Sequence, residues 1–212
     1  MAARYIFVPI LISLAFSCVN CVQTVNGRVK IFVGLTAGCS DARNFIPNQL
    51  VPTYAQYGQF LDLEFVPWAR TRRLEDGSLS CQFGVPDCWA NRLLRCTLDH
   101  LKANNTAQLE YMACEYRAPF PAFSGSFQCA TNAGYGLTQA DFCVNNPQLD
   151  TLDEEAEAKG TGPIQTINFV PSIVFNDDID VDAHWQGFSR LSSVVCFALA
   201  DDPTTGVLGC QI

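Results

Sequence analysis

The segment from Cys81 to Cys96 constrains this chain more than any other. It reads CQFGVPDCWANRLLRC and holds three cysteines at spacings of seven and eight residues. Proline is tolerated in the first turn of a helix, and a carboxylate is favoured there by the helix dipole. The Pro86-Asp87 pair therefore predicts the start of a helix, and the cysteines on either side of it predict a segment held by disulfides.

The N-terminus predicts a secretory signal peptide. Arg4 supplies a positive charge, Tyr5–Phe16 is almost uninterruptedly apolar, and short residues follow as far as Cys21. The apolar run is too short to span a bilayer, which needs roughly 20 residues. We predict that residues 1–21 are removed by cleavage after Cys21, with cleavage after Ser17 as the alternative.

Removal of the signal peptide decides how the cysteines are used. The chain has eleven cysteines, and Cys18 and Cys21 form its only CxxC, which we interpret as part of the discarded segment. Nine cysteines remain, so an oxidising compartment would pair eight and leave one free. With no CxxC in the mature chain and only His100 and His184 as imidazoles, zinc is a poor alternative, and we expect no metal or cofactor.

The charge of the chain argues against two classes of partner. Its formal net charge is −8, whereas nucleic acid requires a basic face and anionic membranes attract basic segments. No later segment is apolar for long enough to span a membrane. Asn104 begins the only N-glycosylation sequon, so we expect a glycoprotein.

The first third of the mature chain predicts a β–α–β unit. Residues 28–35 are β-branched and apolar, and residues 60–67 alternate between apolar and polar. A helix between them is expected to begin near Cys39, with Pro47 and Pro52 kinking or interrupting it. Parallel strands joined in this way take a right-handed crossover. This opening, with a cysteine at the start of the helix, is the first half of a thioredoxin-like fold.

The middle of the chain holds six of the nine mature cysteines. We predict a helix from Pro86, a second helix over 107–116, a long loop over 119–136, and a capping box at Thr138 ahead of a short helix that ends near Asn145. This pattern predicts a helical insertion stapled by disulfides.

The last part of the chain returns to the core. We predict a short, solvated acidic helix over 151–160 with Thr151 as its N-cap, extended segments over 164–170 and 172–175, and an amphipathic helix over 183–200. Trp185 is expected on the apolar side of this last helix. Cys210 in the tail can fold back to Cys196.

The segment from Cys81 to Cys96 resembles the signature of the GILT family, the gamma-interferon-inducible lysosomal thiol reductases. That signature reads C-Q-H-G-x-x-E-C-x-x-N-x-x-x-x-C, and this chain departs from it at Phe83, in place of His, and at Asp87, in place of Glu. The resemblance extends from about Gly27 to the C-terminus and is strongest to secreted invertebrate members. It implies a thioredoxin-like α/β fold and thiol–disulfide chemistry.

The resemblance also assigns the site. The redox CxxC of the family matches Cys39-Ser-Asp-Ala42, so Cys39 takes the position of the attacking cysteine and Ala42 that of the second. Val170-Pro171-Ser172 matches the cis-proline segment beside the active cysteine, and an ordinary trans proline is the alternative. The remaining mature cysteines match family positions and are interpreted as structural disulfides; they are Cys81, Cys88, Cys96, Cys114, Cys129, Cys143, Cys196 and Cys210.

Ala42 decides the expected chemistry. In a CxxC reductase the first thiolate forms a mixed disulfide with the substrate, and the second thiol then releases the product. Ala42 has no sulfur, Asp41 opposes the formation of a thiolate at Cys39, and Phe83 replaces the signature histidine. A secreted protein that binds an unknown protein or cell surface is therefore our first hypothesis.

Two other functions stay open for Cys39. It could exchange disulfides as a single thiol with external glutathione, or it could join a homodimer through an intermolecular disulfide. If the signal were cleaved early, Cys39 could instead pair with Cys18 or Cys21. Among the structural cysteines, Cys81, Cys88 and Cys96 could include a second redox pair.

Four segments follow from these patterns. They are a signal peptide over 1–21, the first half of the core over 22–74, the cysteine-rich insertion over 75–150 and the second half of the core over 151–212. The expected location is extracellular, with the lysosome as the alternative.

Overall fold

The computed structural model describes residues 21–210. The predicted signal peptide therefore lies outside the described residues, apart from Cys21, which is disulfide-bonded. The strands are β1 (Val29–Leu35), β2 (Leu61–Pro67), β3 (Arg72–Arg73), β4 (Leu79–Ser80) and β5 (Ser172–Phe175). The α-helices are α1 (Ser40–Phe45), α2 (Val51–Tyr57), α3 (Val85–His100), α4 (Asn105–Glu115), α5 (Gln128–Asn132), α6 (Leu137–Asn145), α7 (Leu152–Ile167) and α8 (Val181–Ala200).

A three-stranded sheet of order β2-β1-β5 forms the centre. Strand β1 pairs in parallel with β2 and antiparallel with β5, in the register Ile31↔Leu63 and Ile31↔Phe175. One face of β1 carries Val29, Ile31 and other buried residues of the main core, against α1, α3 and α8. Phe32 lies on the opposite face in a smaller cluster with residues of α7. The protein is thus α/β with a thioredoxin-like sheet between helical layers.

The helix after β1 continues through both prolines. A π-helical segment, Ile46–Leu50, contains Pro47 and joins α1 to α2, whose second residue is Pro52. Proline cannot donate the usual i→i−4 hydrogen bond, so the wider turn accommodates it without ending the helix.

Helix α7 corrects the prediction for the last third. The predicted helix over 151–160 in fact extends to Ile167, and the predicted extended segment over 164–170 begins inside it. Pro163 lies within the helix, but its side chain is buried, and a Cβ added at Gly160 would lie only 3.0 Å from the Cβ of Trp68. Packing of this face against the sheet therefore prevails over the local preference of proline and glycine.

Asp153 makes α7 more than a solvated surface helix. Its buried carboxylate accepts hydrogen bonds at 2.9 Å from Arg92 and at 2.9 Å from Arg95, both buried on α3. Arg95 also donates to the Pro67 carbonyl at 2.6 Å. Burial lowers the pKa of Arg95 to about 10, which still leaves it charged at neutral pH. This network joins α3, α7 and the end of β2.

Other local predictions were wrong in detail. Helix α6 begins at Leu137 with Gly136 as its N-cap, so Thr138 does not cap it. Trp185 is 43% exposed rather than part of the apolar core. The β3–β4 hairpin had no counterpart in the predicted pattern.

Four disulfides join eight of the described cysteines to one another. Cys196 pairs with Cys210, the pairing that the sequence suggests, and the other pairs are Cys81–Cys88, Cys96–Cys143 and Cys114–Cys129. Cys81–Cys88 links the loop before α3 to that helix, Cys96–Cys143 and Cys114–Cys129 link helices of the middle region, and Cys196–Cys210 links the last helix to its own tail.

Burial shifts the pKa values of two side chains, His184 and Glu115, in opposite directions. Nδ1 of the fully buried His184 accepts a hydrogen bond from the Ile173 N–H at 3.1 Å, and burial lowers the pKa of His184 to about 4. Glu115 accepts from the Ala122 N–H at 2.7 Å through one carboxylate oxygen, while the other has no partner. Burial raises the pKa of Glu115 to about 7, against the opposing effects of the Ala122 N–H and the Tyr111 hydroxyl.

These shifts predict compensating effects of pH on stability. The contribution of His184 is full above its unfolded pKa near 6.5 and is lost as the pH falls towards 4. The contribution of Glu115 to the free energy of unfolding is complete below its unfolded pKa near 4.5 and is lost as the pH rises through about 7. Glu115→Gln removes this loss. As the pH rises from 4.5 to 7, the free energy of unfolding of the variant, measured in urea, should increase by about 3 kcal/mol relative to that of the wild type. Parallel profiles for the two proteins would contradict the assignment.

The buried ionic network gives a second prediction. Asp153→Asn leaves two buried guanidinium groups without their shared carboxylate and should lower the free energy of unfolding by about 3–5 kcal/mol. Glu157→Gln on the same helix is the control, because its pair with Arg73 is at the surface, and it should change stability by about 0–1 kcal/mol. Chemical denaturation of both variants provides the measurement. Similar losses in the free energy of unfolding would show that the buried network contributes no more to stability than the surface pair.

Candidate functional site

Cys39 lies where the chain turns from β1 into α1. It is the N-cap residue of α1 and is only 5% exposed. Its thiol donates a hydrogen bond to the Val170 carbonyl at 3.3 Å, and the Val170–Pro171 peptide bond is cis. The fold thus brings together Cys39 and Pro171, which are more than a hundred residues apart in the chain.

Ala42 lies one turn after Cys39 and is completely buried. Within the part of the chain that the structure describes, Cys39 is the one unpaired cysteine, so the alternative pairing with Cys18 or Cys21 is not formed. No second thiol from residues 21–210 is therefore available to resolve a mixed disulfide on Cys39.

The surroundings of Cys39 favour the neutral thiol. Burial raises the pKa of the Cys39 thiol and outweighs the backbone N–H groups of Ala42 and Asp41, which lower it. The charge of Asp41 adds to the increase, and Arg43 opposes it. The hydrogen bond to Val170 also uses the thiol proton. A thiol held in this way is a weak nucleophile, since the thiolate is the reactive form.

A buried polar cluster fixes the loop before Cys39. Asp87 accepts from the Thr36 hydroxyl at 2.7 Å and from the Gly38 N–H at 3.0 Å. Asn91 accepts from the Ala37 N–H at 2.8 Å and donates to the Thr36 hydroxyl at 2.8 Å. The sequence interpretation gave Asp87 only a role at the helix start. Its spacing of four from Asn91, which places both on one helix face, could have indicated the shared role.

Phe83 takes the place of the signature histidine directly beside this loop. A Cβ added at Gly38 would clash with the Phe83 ring and would lie 2.8 Å from the Phe123 ring, so both rings pack directly against the backbone that precedes Cys39. The rings meet edge to face, with centroids 6.4 Å apart. An apolar wall therefore stands where the family has an imidazole.

The loop that carries Phe123 is tied down from two directions. The Arg43 guanidinium lies over the Phe120 ring, 3.6 Å from its centroid. The carboxylate of Glu115 accepts a hydrogen bond from the Ala122 N–H in the same loop. The first contact attaches the loop to α1, the helix that follows Cys39, and the second attaches it to α4.

Aromatic residues also pack beside the Val170 segment, which contacts Cys39. Phe169, next to Val170, packs against Trp185 with ring centroids 4.8 Å apart and against Phe188 at 5.0 Å. Phe188 in turn stacks on Phe45 of α1 at 5.9 Å. Because Trp185 is 43% exposed, this side presents aromatic surface to solvent.

The other candidate residues lie elsewhere or serve structure. His100 stacks on Tyr135 with centroids 4.8 Å apart, and the exposed Asn104 caps α4 by accepting from the Ala107 N–H at 3.0 Å. Cys81 and Cys88 are closed in a disulfide. Within residues 21–210 no group of three or more metal-ligating side chains is arranged to hold a metal ion, and none of the helices there is long and apolar enough to cross a membrane.

The chain matches known proteins across this site. A family model described as gamma interferon inducible lysosomal thiol reductase (GILT) matches residues 28–133. GILT-like protein 2 of Drosophila melanogaster is 33% identical over 187 residues, with 87% of this chain and 86% of that protein covered. A gamma-interferon-inducible lysosomal thiol reductase-like protein of Anopheles gambiae is 24% identical over 193 residues, with 83% and 79% covered.

These matches agree with the signature at Cys81–Cys96, the cis-proline beside Cys39 and the thioredoxin-like sheet. The chain belongs to the GILT family.

Proposed function

We propose that this protein is a secreted member of the GILT family that acts by binding another protein and does not turn over disulfides. The observation that carries the proposal is Ala42, a buried methyl group one turn after Cys39, where the redox motif requires a second sulfur. Without that sulfur, a mixed disulfide on Cys39 has no internal route to release.

The aromatic surface near Cys39 supports a binding role. Phe83, which packs against Gly38, is 41% exposed, and Trp185, which packs against Phe169, is 43% exposed. Aromatic side chains supply much of the binding energy at protein interfaces. The partner is a protein or a cell surface rather than nucleic acid, because the net charge of the chain is −8.

Exchange by a single thiol is the second candidate. The Cys39 thiolate would attack a substrate disulfide, form a mixed disulfide and release one thiolate; an external thiol such as glutathione would then displace Cys39 and become part of a new disulfide. The position of Cys39 beside the cis-proline favours this reaction. Its 5% exposure and raised pKa oppose it, and the same burial opposes a homodimer joined through Cys39.

Secretion and glycosylation belong to the same proposal, with the lysosome as the alternative location. Asn104 is exposed at the start of α4 and uses its carbonyl oxygen for the cap, which leaves the amide nitrogen available to carry a glycan.

Disulfide turnover tests the proposed loss of activity. We expect no catalysed reduction of insulin by wild type with dithiothreitol at acidic or neutral pH. Ala42→Cys should restore a closable pair and partial activity, because Asp41 and Phe83 remain unlike the family. Cys39→Ser and dithiothreitol alone are the controls. Turnover by wild type that disappears in Cys39→Ser would establish the single-thiol reaction instead.

The reactivity of Cys39 gives a separate prediction. Modification of the native protein by iodoacetamide should be slow, and its rate should rise only above the pKa of an ordinary thiol, because burial disfavours the thiolate. Phe83→Ala should increase the rate by opening one wall, whereas Phe142→Ala, at a more exposed aromatic residue of α6, should not. Rapid labelling of wild type near neutral pH would contradict this description of the site.

A further inference from the structure

Within residues 21–210, the outer edge of β2 is not paired with another strand. In the sheet order β2-β1-β5, β2 is an edge. The Asn176 N–H donates to the Lys30 carbonyl at 3.0 Å. The backbone N–H and C=O groups of even-numbered residues of β1 therefore point towards β5, and those of odd-numbered residues point towards β2. With Ile31 opposite Leu63, the N–H and C=O groups of Leu63 and Phe65 must point away from β1.

Side chains satisfy both ends of this edge but not its centre. The Leu61 carbonyl accepts from the Asn105 amide at 3.2 Å, and the Pro67 carbonyl accepts from Arg95 at 2.6 Å. Between them, Leu63 and Phe65 have no hydrogen-bond partner for their outward backbone groups among residues 21–210. Backbone groups at such positions require water or another strand as partner.

A cavity of about 420 Å³ lies along the same stretch of β2. Its volume is within the usual range for ligand sites. Helix α7 forms one wall and α3 with the start of α4 the other; their residues here include Leu98, Gln108, Leu152 and Ala156. The groove is thus long, walled on both sides, and floored by unpaired backbone.

We propose that this groove binds an extended, uncharged peptide segment of a partner protein, which adds to β2 as a fourth strand of the sheet. Alternating backbone donors and acceptors are complementary to an extended strand. The surface is separate from Cys39, so the inference goes beyond the proposed function and holds whether or not the protein reduces disulfides.

The charges of the groove favour an uncharged occupant. Glu64 pairs with Lys30 at 2.8 Å and with Lys159 at 2.6 Å, and Lys102 pairs with Asp99 at 3.2 Å. Asp177 also pairs with Lys30, at 2.7 Å, so the three lysines meet three carboxylates and a charged segment would gain little.

Amide hydrogen exchange of the full chain tests whether the edge is open. In the free protein, the amides of Leu63 and Phe65 should exchange faster than those of Asp62, Glu64 and Val66, which point towards β1. Equal protection of all five would overturn the proposal. Protection of Leu63 and Phe65 that grows with protein concentration would assign the edge to a second copy and also overturn it.

A defined probe tests the occupant. We expect a capped heptapeptide of alternating threonine and valine to bind and to slow exchange at Leu63 and Phe65. The same peptide with N-methyl groups along one edge keeps its side chains but loses donors, and should bind about tenfold more weakly or worse. Absence of binding up to about 1 mM, equal binding of both peptides, or protection at a different surface would overturn the proposal.

A pair of variants locates the site independently. Ala156→Met fills part of the groove and should weaken binding of the unmethylated peptide by about tenfold or more. Ala158→Met, on the exposed face of the same helix, should leave binding unchanged. Equal effects of the two variants on peptide binding would mean that the peptide binds outside the groove, which would overturn the proposal. If Ala156→Met fails to fold, the comparison of the two peptides on wild type still decides the question.

Discussion

The hydrogen bonds that Asp87 and Asn91 make to the loop before Cys39 connect the two halves of the functional centre. They join the first turns of α3 to the end of β1, some fifty residues earlier in the chain. Each of these groups is buried, and an unsatisfied buried donor or acceptor costs about 1–3 kcal/mol. Loss of either side chain would therefore leave buried groups of this loop without partners, and Asp87 uses both of its carboxylate oxygens in these contacts.

Much of the fold could be predicted from sequence because its determinants are local. A few residues are enough to predict each of three elements: β1 from its apolar run, β2 from its alternation of apolar and polar residues, and α3 from the proline near its start. The resemblance then supplied what local patterns could not, namely that Cys39 and Pro171 meet. Ala42 could be recognised as a missing sulfur only through that resemblance, since an alanine in a helix carries no chemical pattern of its own.

The failures came where distant contacts decide the outcome. Pro163 and Gly160 predict the end of a helix, but packing against Trp68 keeps α7 intact beyond them. Asp153 lies in an acidic run typical of a solvated surface, and only the partner arginines on α3 explain its burial. Likewise, the raised pKa of Cys39 depends on the depth of the thiol in the fold, which its position at a helix start does not indicate.

The spacing of the disulfides has a consequence for how the chain matures. Three of the four pairs close loops of only 7, 14 and 15 residues, and Cys96–Cys143 alone spans 47. Short loops bring their ends together at little entropic penalty, so these partners find each other early and often. Cys39 is the exception among these cysteines, an unpaired thiol able to capture any of the others. Its burial between β1 and the Val170 segment withdraws it from exchange once the sheet has formed, so assembly of the sheet protects the correct pairing of every other cysteine.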